Sequence, residues 1–139
     1  VIREGDRQKE IARGFVRTTN NRMELMACIA ALQSLEQKSQ VLIFSDSKYI
    51  VDAIEEKHAY RWRANRWMRS TREKVANVDL WKKLLTLCDE PDVDFHWVRG
   101  HAGNPFNERC DFLAKQAATS SDLRMDHGYS NSDEQPNLF

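Results

Sequence analysis

The sequence predicts an α/β domain: a mixed β-sheet flanked by helices. Three observations carry that expectation. "VLIFS" (41–45) is a short continuous apolar run, the pattern of a strand buried on both faces, as in a parallel sheet. "DSKYIVDAIEEK" follows at once and reads as a helix capped near Ser47. "VDFHWV" (93–98) alternates like a strand and leads through "RGHAG" into a second helix-start signal. Strand followed by helix, twice over, is the mark of α/β architecture.

The remaining elements follow in order. Val1 to Arg3, then "EGD", then Ile11 to Arg17 read as a hairpin with its turn near Gly5. "TTNN" (18–21) supplies N-cap residues for a first helix running to about Gln37. Residues 57–74 are basic and aromatic. Asn77 to Leu87 is a further helix, with Val78, Trp81, Leu84 and Leu85 on one side. Asn104 and Pro105 make an N-cap and first helical position for a helix to about Ala118. From Thr119 the sequence is polar, so residues 1–118 are expected to form the domain and 119–139 a loose tail. There is no internal repeat.

A chain of 139 residues, 41% hydrophobic and 30% charged, is long enough for one domain with its own core. The net charge is zero, so the overall balance names no partner. Cys28, Cys88 and Cys110 are odd in number and form no C-x-x-C pair, against a disulfide framework or a zinc site. Cys28 and Cys110 read as small core residues, and a reducing, cytoplasmic setting is expected. The longest apolar run, Leu25 to Leu32, is far short of a membrane span. The N-terminal residues have no apolar signal-peptide segment.

Three carboxylates stand out. On helical spacing Glu24 heads a stripe of Ala27, Cys28, Ala31, Leu32 and Leu35. A carboxylate there must be solvated, paired (Arg22 and Lys48 are candidates) or bound to a metal. Asp46 directly follows the 41–45 strand, where α/β sheets collect ligands, but it could equally cap the next helix. Asp111 lies on the last helix, on the face of Ala114 and Ala118, and alone reads as a solvated position. As a set they are three hard oxygen ligands on three elements that could meet at one end of a sheet. Such a set suits Mg²⁺, and two ions about 4 Å apart can clamp an in-line displacement at phosphorus. His101, in "GHAG", is either an ordinary loop histidine or a mobile proton relay.

The segment "KHAYRWRANRWMRSTREK" (57–74) holds seven basic residues against the single acid Glu73, with Tyr60, Trp62 and Trp67 interleaved. Basic side chains contact phosphates and aromatic rings stack on sugars or bases. The plainer reading is an amphipathic helix whose tryptophans pack inward.

"TTNNRMEL", "SDSKYI", "NVDLW", "WVRGHAGNPFNERCD" and the tryptophan-containing basic segment together resemble type 1 ribonuclease H. They run in that family's order over residues 1 to about 129. The resemblance implies a ribonuclease H-like fold with a five-stranded mixed sheet. It implies endonucleolytic cleavage of the RNA strand of RNA–DNA hybrids with Mg²⁺ or Mn²⁺, leaving 5′-phosphate and 3′-hydroxyl ends. By the same resemblance Glu24, Asp46 and Asp111 are metal ligands, and His101 assists proton transfer or product release. Asn20 and Asn21 contact the hybrid's minor groove. Asn77, Trp62, Trp67, Arg63 and Arg66 belong to the substrate-binding side, with His58 at a handle position that is often Trp.

One departure concerns the front of the chain. The family's central first strand, with its Asp-Gly-Ser type motif and metal-bridging Asp, has no match here, and Asp6 sits in the wrong place. The chain also starts at Val1 rather than Met. The expectation is therefore a piece of a longer enzyme, with weak or no activity by itself, or else a hybrid-binding module without catalysis. Another ribonuclease H-like nuclease is disfavoured by the asparagine pair and the basic tryptophan segment occurring together with "GHAGNP". The final "QPNLF" (135–139) resembles the peptides that dock bacterial replication proteins into a sliding clamp, through Gln135, Leu138 and Phe139. A monomer is expected.

Overall fold

The structure is a computed structural model that describes residues 1–36 and 40–129. The 135–139 peptide lies outside the described residues. The elements run β1 (Ile2–Glu4), β2 (Arg7–Lys9), β3 (Gly14–Phe15), α1 (Asn20–Gln33), β4 (Val41–Ser45) and α2 (Lys48–Glu55). They continue α3 (His58–Ala64), α4 (Val78–Cys88), β5 (Val93–Trp97), α5 (Pro105–Ala118) and β6 (Leu123–Arg124).

The expected alternation of strands and helices is present, but the strands form three two-stranded ladders among the described residues. β1 and β2 pair antiparallel, β3 and β6 parallel, and β4 and β5 parallel. The hairpin turns at Gly5, whose φ of 58° is the left-handed conformation glycine adopts at no steric cost. Its return strand is Arg7–Lys9, not Ile11 to Arg17. Gly14 and Phe15 pair with β6 instead.

The caps explain the helix ends. The Thr19 side chain accepts from the Arg22 amide at 3.2 Å and starts α1. Ser34 closes it four residues before the expected end: its amide donates to Ala30 and Ala31, and its hydroxyl to the Ala31 carbonyl at 2.7 Å. Ser47 caps α2 by accepting from the Ile50 amide. Asn104 caps α5 by accepting from the Phe106 and Asn107 amides, with Pro105 in the first turn.

The core lies between α1, α2, α4 and β5. Leu25, Ile50, Trp81, Leu84 and Leu85 are fully buried, and Phe95 closes it from the sheet. The other side of the sheet is different. Leu42 and Phe44 are 57% and 63% exposed, so β4 is covered on one face only, contrary to the two-faced burial its apolar run suggests. β4 pairs with β5 on one edge, and no described strand pairs with the other. α5 buries no residue, and its Phe106 and Phe112 are exposed. Cys110, expected in the core, is exposed for the same reason, whereas Cys28 is buried.

Burial with no compensating charge pushes the Cys28 thiol up to about 12, which leaves it a small inert core group.

Residues 119–129, expected as the start of a loose tail, are part of the body. Val16 donates to the Arg124 carbonyl at 2.8 Å beside the β3–β6 ladder. Asp126 then reaches the most buried charge among the described residues. Arg22 on α1 has no exposed surface. Its Nη1 and Nη2 donate to the two oxygens of Asp79 at 2.9 and 2.7 Å. Its Nε and Nη2 donate to those of Asp126 at 2.6 and 3.0 Å. Thr18 donates to Asp126 at 2.7 Å. A side chain at Gly128 would collide with both Asp79 and Arg22, so the strap needs glycine there.

Hydrogen bonds from Arg22 hold the Asp79 carboxyl below its ordinary value. Burial works to raise Asp126, and hydrogen bonds from Arg22 and Thr18 outweigh it, leaving it lowered. Both shifts favour the folded state above the unfolded carboxylate value near 3.9, and that contribution is lost as pH falls through the folded values. Acid unfolding of Asp126→Asn, followed by circular dichroism, should therefore show a flatter pH dependence than the parent. Arg22→Ala, which strands a carboxylate whose side chain is 1% exposed, should cost about 3–5 kcal/mol in denaturant melts.

Candidate active site

β4 ends at Ser45, so Asp46 stands at the carboxyl end of the parallel β4–β5 pair. Ser47, not Asp46, is the cap of α2. The Asp46 side chain projects where three other elements arrive. The Trp97 indole donates to its carbonyl at 3.3 Å, and the Lys48 ammonium sits 4.7 Å over that indole. Gly100 passes so close that a Cβ there would stand 2.9 Å from Oδ2. Asn107, in the first turn of α5, donates from Nδ2 to Oδ2 at 3.1 Å.

Glu24 lies half-buried on α1, one turn after the cap. Neither Arg22 nor Lys48 neutralises it: Arg22 is held by Asp79 and Asp126, and Lys48 by the Trp97 ring. Burial first, and the nearby Asp46 charge second, push the Glu24 carboxyl up to about 7. Glu24 and Asp46 are thus close enough to repel, with no basic side chain paired to Glu24 among the described residues. That donor set fits a hard divalent cation, which would favour the charged form of Glu24.

Asp111 is less closely gathered. It pairs with Lys115 at 2.9 Å along α5, and the lysine hydrogen bond holds its carboxyl below the ordinary value, with a smaller contribution from His101. His101 is exposed in the β5–α5 loop with φ 55°. His101 therefore lies near enough to Asp111 to act on its charge. Among the described residues no three His, Cys, Asp or Glu side chains form a group that could hold a metal ion.

The substrate-side residues divide. Asn20 is exposed and Asn21 half-buried in the first turn of α1. Asn77 is 3% exposed, with φ 59°. Its Oδ1 accepts from Arg22 at 3.4 Å, and its Nδ2 donates to the Tyr49 hydroxyl at 3.1 Å. That hydroxyl also accepts from the Trp81 indole at 2.9 Å. The Asn77 amide thus works inside the protein.

In the basic segment, Trp62 and Trp67 are half-buried against the core, and Trp62 meets Trp81 edge-on at 5.7 Å. The inward-packing reading holds for the rings. Arg63 is paired to Asp89 at 2.9 Å, and Arg66 is exposed. His58 stacks on Trp62. Arg61 approaches its Nδ1 at 2.7 Å and Glu56 its Nε2 at 2.8 Å, so Arg61 donates to Nδ1 and Nε2–H donates to Glu56. Between these residues lies a groove of about 320 Å³ lined by His58, Arg61, Trp62, Asn65, Met68 and Arg69.

Sequence reasoning missed Asn107, Asp79 and Asp126. Asn107 carries a signal, since it precedes Asp111 by four residues and so shares its helix face. Asp126 carries none in its local sequence.

The ribonuclease H family model matches residues 1–119. The chain belongs to the ribonuclease H family. These are endoribonucleases that hydrolyse the RNA strand of RNA–DNA hybrids. The chain is 50% identical over 129 residues to the ribonuclease H of Syntrophus aciditrophicus, covering 93% of this chain and 75% of that protein. It is 49% identical over 130 residues to the ribonuclease HI of Synechocystis sp., covering 93% of this chain and 81% of that one. Among solved structures it is similar to LC9-RNase H1, a type 1 RNase H with the type 2 active-site motif. The TM-score is 0.65 at 33% identity, over 85% of this chain and 58% of that one.

A raised carboxyl destabilises the fold once it must ionise: the penalty is absent below about 4.5, grows through the raised value near 7, and is full above it. Glu24→Gln removes it. In chelator-containing buffer the variant should gain about 1–3 kcal/mol over the parent at pH 8.5, and much less at pH 4.5, measured by thermal melts.

Proposed function

We propose that this chain carries the catalytic residues of a ribonuclease H. The reaction is hydrolysis of the RNA strand of an RNA–DNA hybrid, with Mg²⁺ (or Mn²⁺) bound by Glu24, Asp46 and Asp111 in a two-metal site. The products are 5′-phosphate and 3′-hydroxyl ends. The observation that carries this reading is the unneutralised Glu24–Asp46 pair at the end of the β4–β5 ladder.

The bound cations would supply an activated water and stabilise charge at the scissile phosphate. This chain's own residues do the rest. Glu24 and Asp46 present oxygen donors from a helix and a strand end, each fixed by its own cap or ladder. His101, on an exposed loop beside Asp111, takes or gives a proton at its ring nitrogen as the product leaves. Asn20 and Asn21 offer amides to the minor groove, where the RNA 2′-hydroxyls lie. Arg66, together with Arg63 once released from Asp89, holds DNA-strand phosphates along the groove beside Trp62 and Trp67. Asn77 contributes by fixing Arg22 and Tyr49, which supports a positioning role rather than direct contact. A sliding clamp, engaged by Gln135, Leu138 and Phe139, a monomeric state and a cytoplasmic setting complete the proposal.

A second reading is favoured by one specific observation. No described strand pairs with the outer edge of β4, and Leu42 and Phe44 project from that strand into solvent. A further strand carrying one more carboxylate would cover both and complete the ligand set. Without it the chain is a hybrid-binding piece with an incomplete site.

Cleavage of a labelled RNA–DNA hybrid in Mg²⁺ by the 139-residue chain, beside Asp46→Asn, separates the readings. Weak or no cleavage with salt-sensitive binding would favour the second reading. Strong cleavage abolished by Asp46→Asn would mean the present carboxylates suffice. Arg66→Ala should weaken hybrid binding and lower the slope of log K against log salt by about 1.

A further inference from the structure

We infer that Asn107 is a positioning residue for Asp46. This rests on the reading of Asp46 as part of the active site, and it assigns a role to a side chain outside the carboxylate and histidine set.

Asp46 is the first residue after β4, and its side chain is exposed. An exposed carboxylate on a strand end samples several staggered rotamers. Asn107 removes that freedom through the single hydrogen bond from Nδ2 to Oδ2, at 3.1 Å. Asn107 is itself fixed, because its backbone amide donates to the Asn104 cap at 3.2 Å. The amide side chain therefore hangs from a capped first turn.

Gly100 passes close to the same oxygen, where a Cβ would stand 2.9 Å from Oδ2. The Trp97 indole holds the Asp46 carbonyl, so main chain and side chain are both pinned. A neutral donor is the right chemistry for this place. It occupies one oxygen of Asp46 without neutralising the charge, and leaves Oδ1 as a donor for a cation shared with Glu24. A lysine or arginine at the same position would compete with that cation. The bond also ties α5 to β4, so it sets how Asp111, one turn further along α5, is presented to the pair.

The test uses the whole chain, with Mn²⁺ alone as the probe, in the parent, Asn107→Ala, Asn107→Leu, Asp46→Asn and the Asp46→Asn/Asn107→Ala double variant. Three-bond couplings across the Asp46 Cα–Cβ bond, measured without metal, should report one rotamer in the parent and averaging in both Asn107 variants. Mn²⁺ affinity by calorimetry should fall about tenfold in both Asn107 variants, and Asn107→Ala should add nothing in the Asp46→Asn background. Asn107→Leu keeps the side-chain bulk, so retention of rotamer and affinity in that variant would overturn the inference in favour of simple packing. An equal loss in both backgrounds would overturn it too. A parent that binds no Mn²⁺ overturns the metal reading of the pair, while the rotamer measurement still decides whether Asn107 fixes Asp46.

Discussion

The fully buried guanidinium of Arg22 is the constraint on which the rest of this structure depends. A charge with no exposed surface costs several kcal/mol unless its donors are met. Here two carboxylates and an amide meet it, from Asp79, Asp126 and Asn77. They come from two parts of the chain, Asn77 and Asp79 from the start of α4 and Asp126 from beyond β6. Satisfying Arg22 therefore brings the start of α4 and the strap after β6 onto the first turn of α1. The same turn carries Asn20 and Asn21, and Glu24 follows two residues later. The ionic cluster that holds the fold thus also orients Asn20, Asn21 and Glu24, the residues proposed to meet substrate and metal. Gly128 is needed because the strap passes directly over the ion pairs.

Burial is unevenly distributed around this anchor. The α1, α2 and α4 side is closed by aliphatic packing around Trp81. The α5 side depends on surface contacts: Arg109 with Glu10, Arg3 over Phe106, and the β3–β6 ladder. Exposed ion pairs contribute at most about 1 kcal/mol each. The proposed site residues fall on both sides of this boundary, with Glu24 and Asp46 on the well-packed side, and Asp111, His101 and Asn107 on the loosely held side. Local opening should begin on the second side, and the Asn107–Asp46 bond is a direct tie between the two.

Much of this was legible in the sequence for local reasons. The caps at Thr19, Ser47 and Asn104 are written in adjacent residues, and so are the helices they start. The position of Asp46 follows from the apolar run before it, and the family follows from motifs in order. What was not legible is what depends on distant partners. Leu42 and Phe44 read as buried because an apolar run does not say how many neighbours a strand has. Cys110 read as core because α5 has an apolar pattern with nothing described on that face to receive it. The docking of 119–129 rests on Asp126 finding Arg22 across 104 positions, and no periodicity encodes that. Asn77 read as a substrate contact because a motif gives an identity and an order, but not whether an amide is already engaged.

The contrast between the carboxylates follows from the same partition. Asp111 has a lysine one turn away, and its carboxyl is held low. Glu24 lies against the core, meets Asp46 and is pushed up to about 7. Placing a carboxylate on an apolar stripe is costly while it stands beside another negative charge, and the cost falls when a divalent cation sits between them. The half-buried position strengthens that attraction, because less water screens it. The acid that is most unfavourable to the isolated fold is therefore the one best placed to gain from a metal. Its position at the head of the α1 stripe makes physical sense as a binding site, where no packing argument accounts for it.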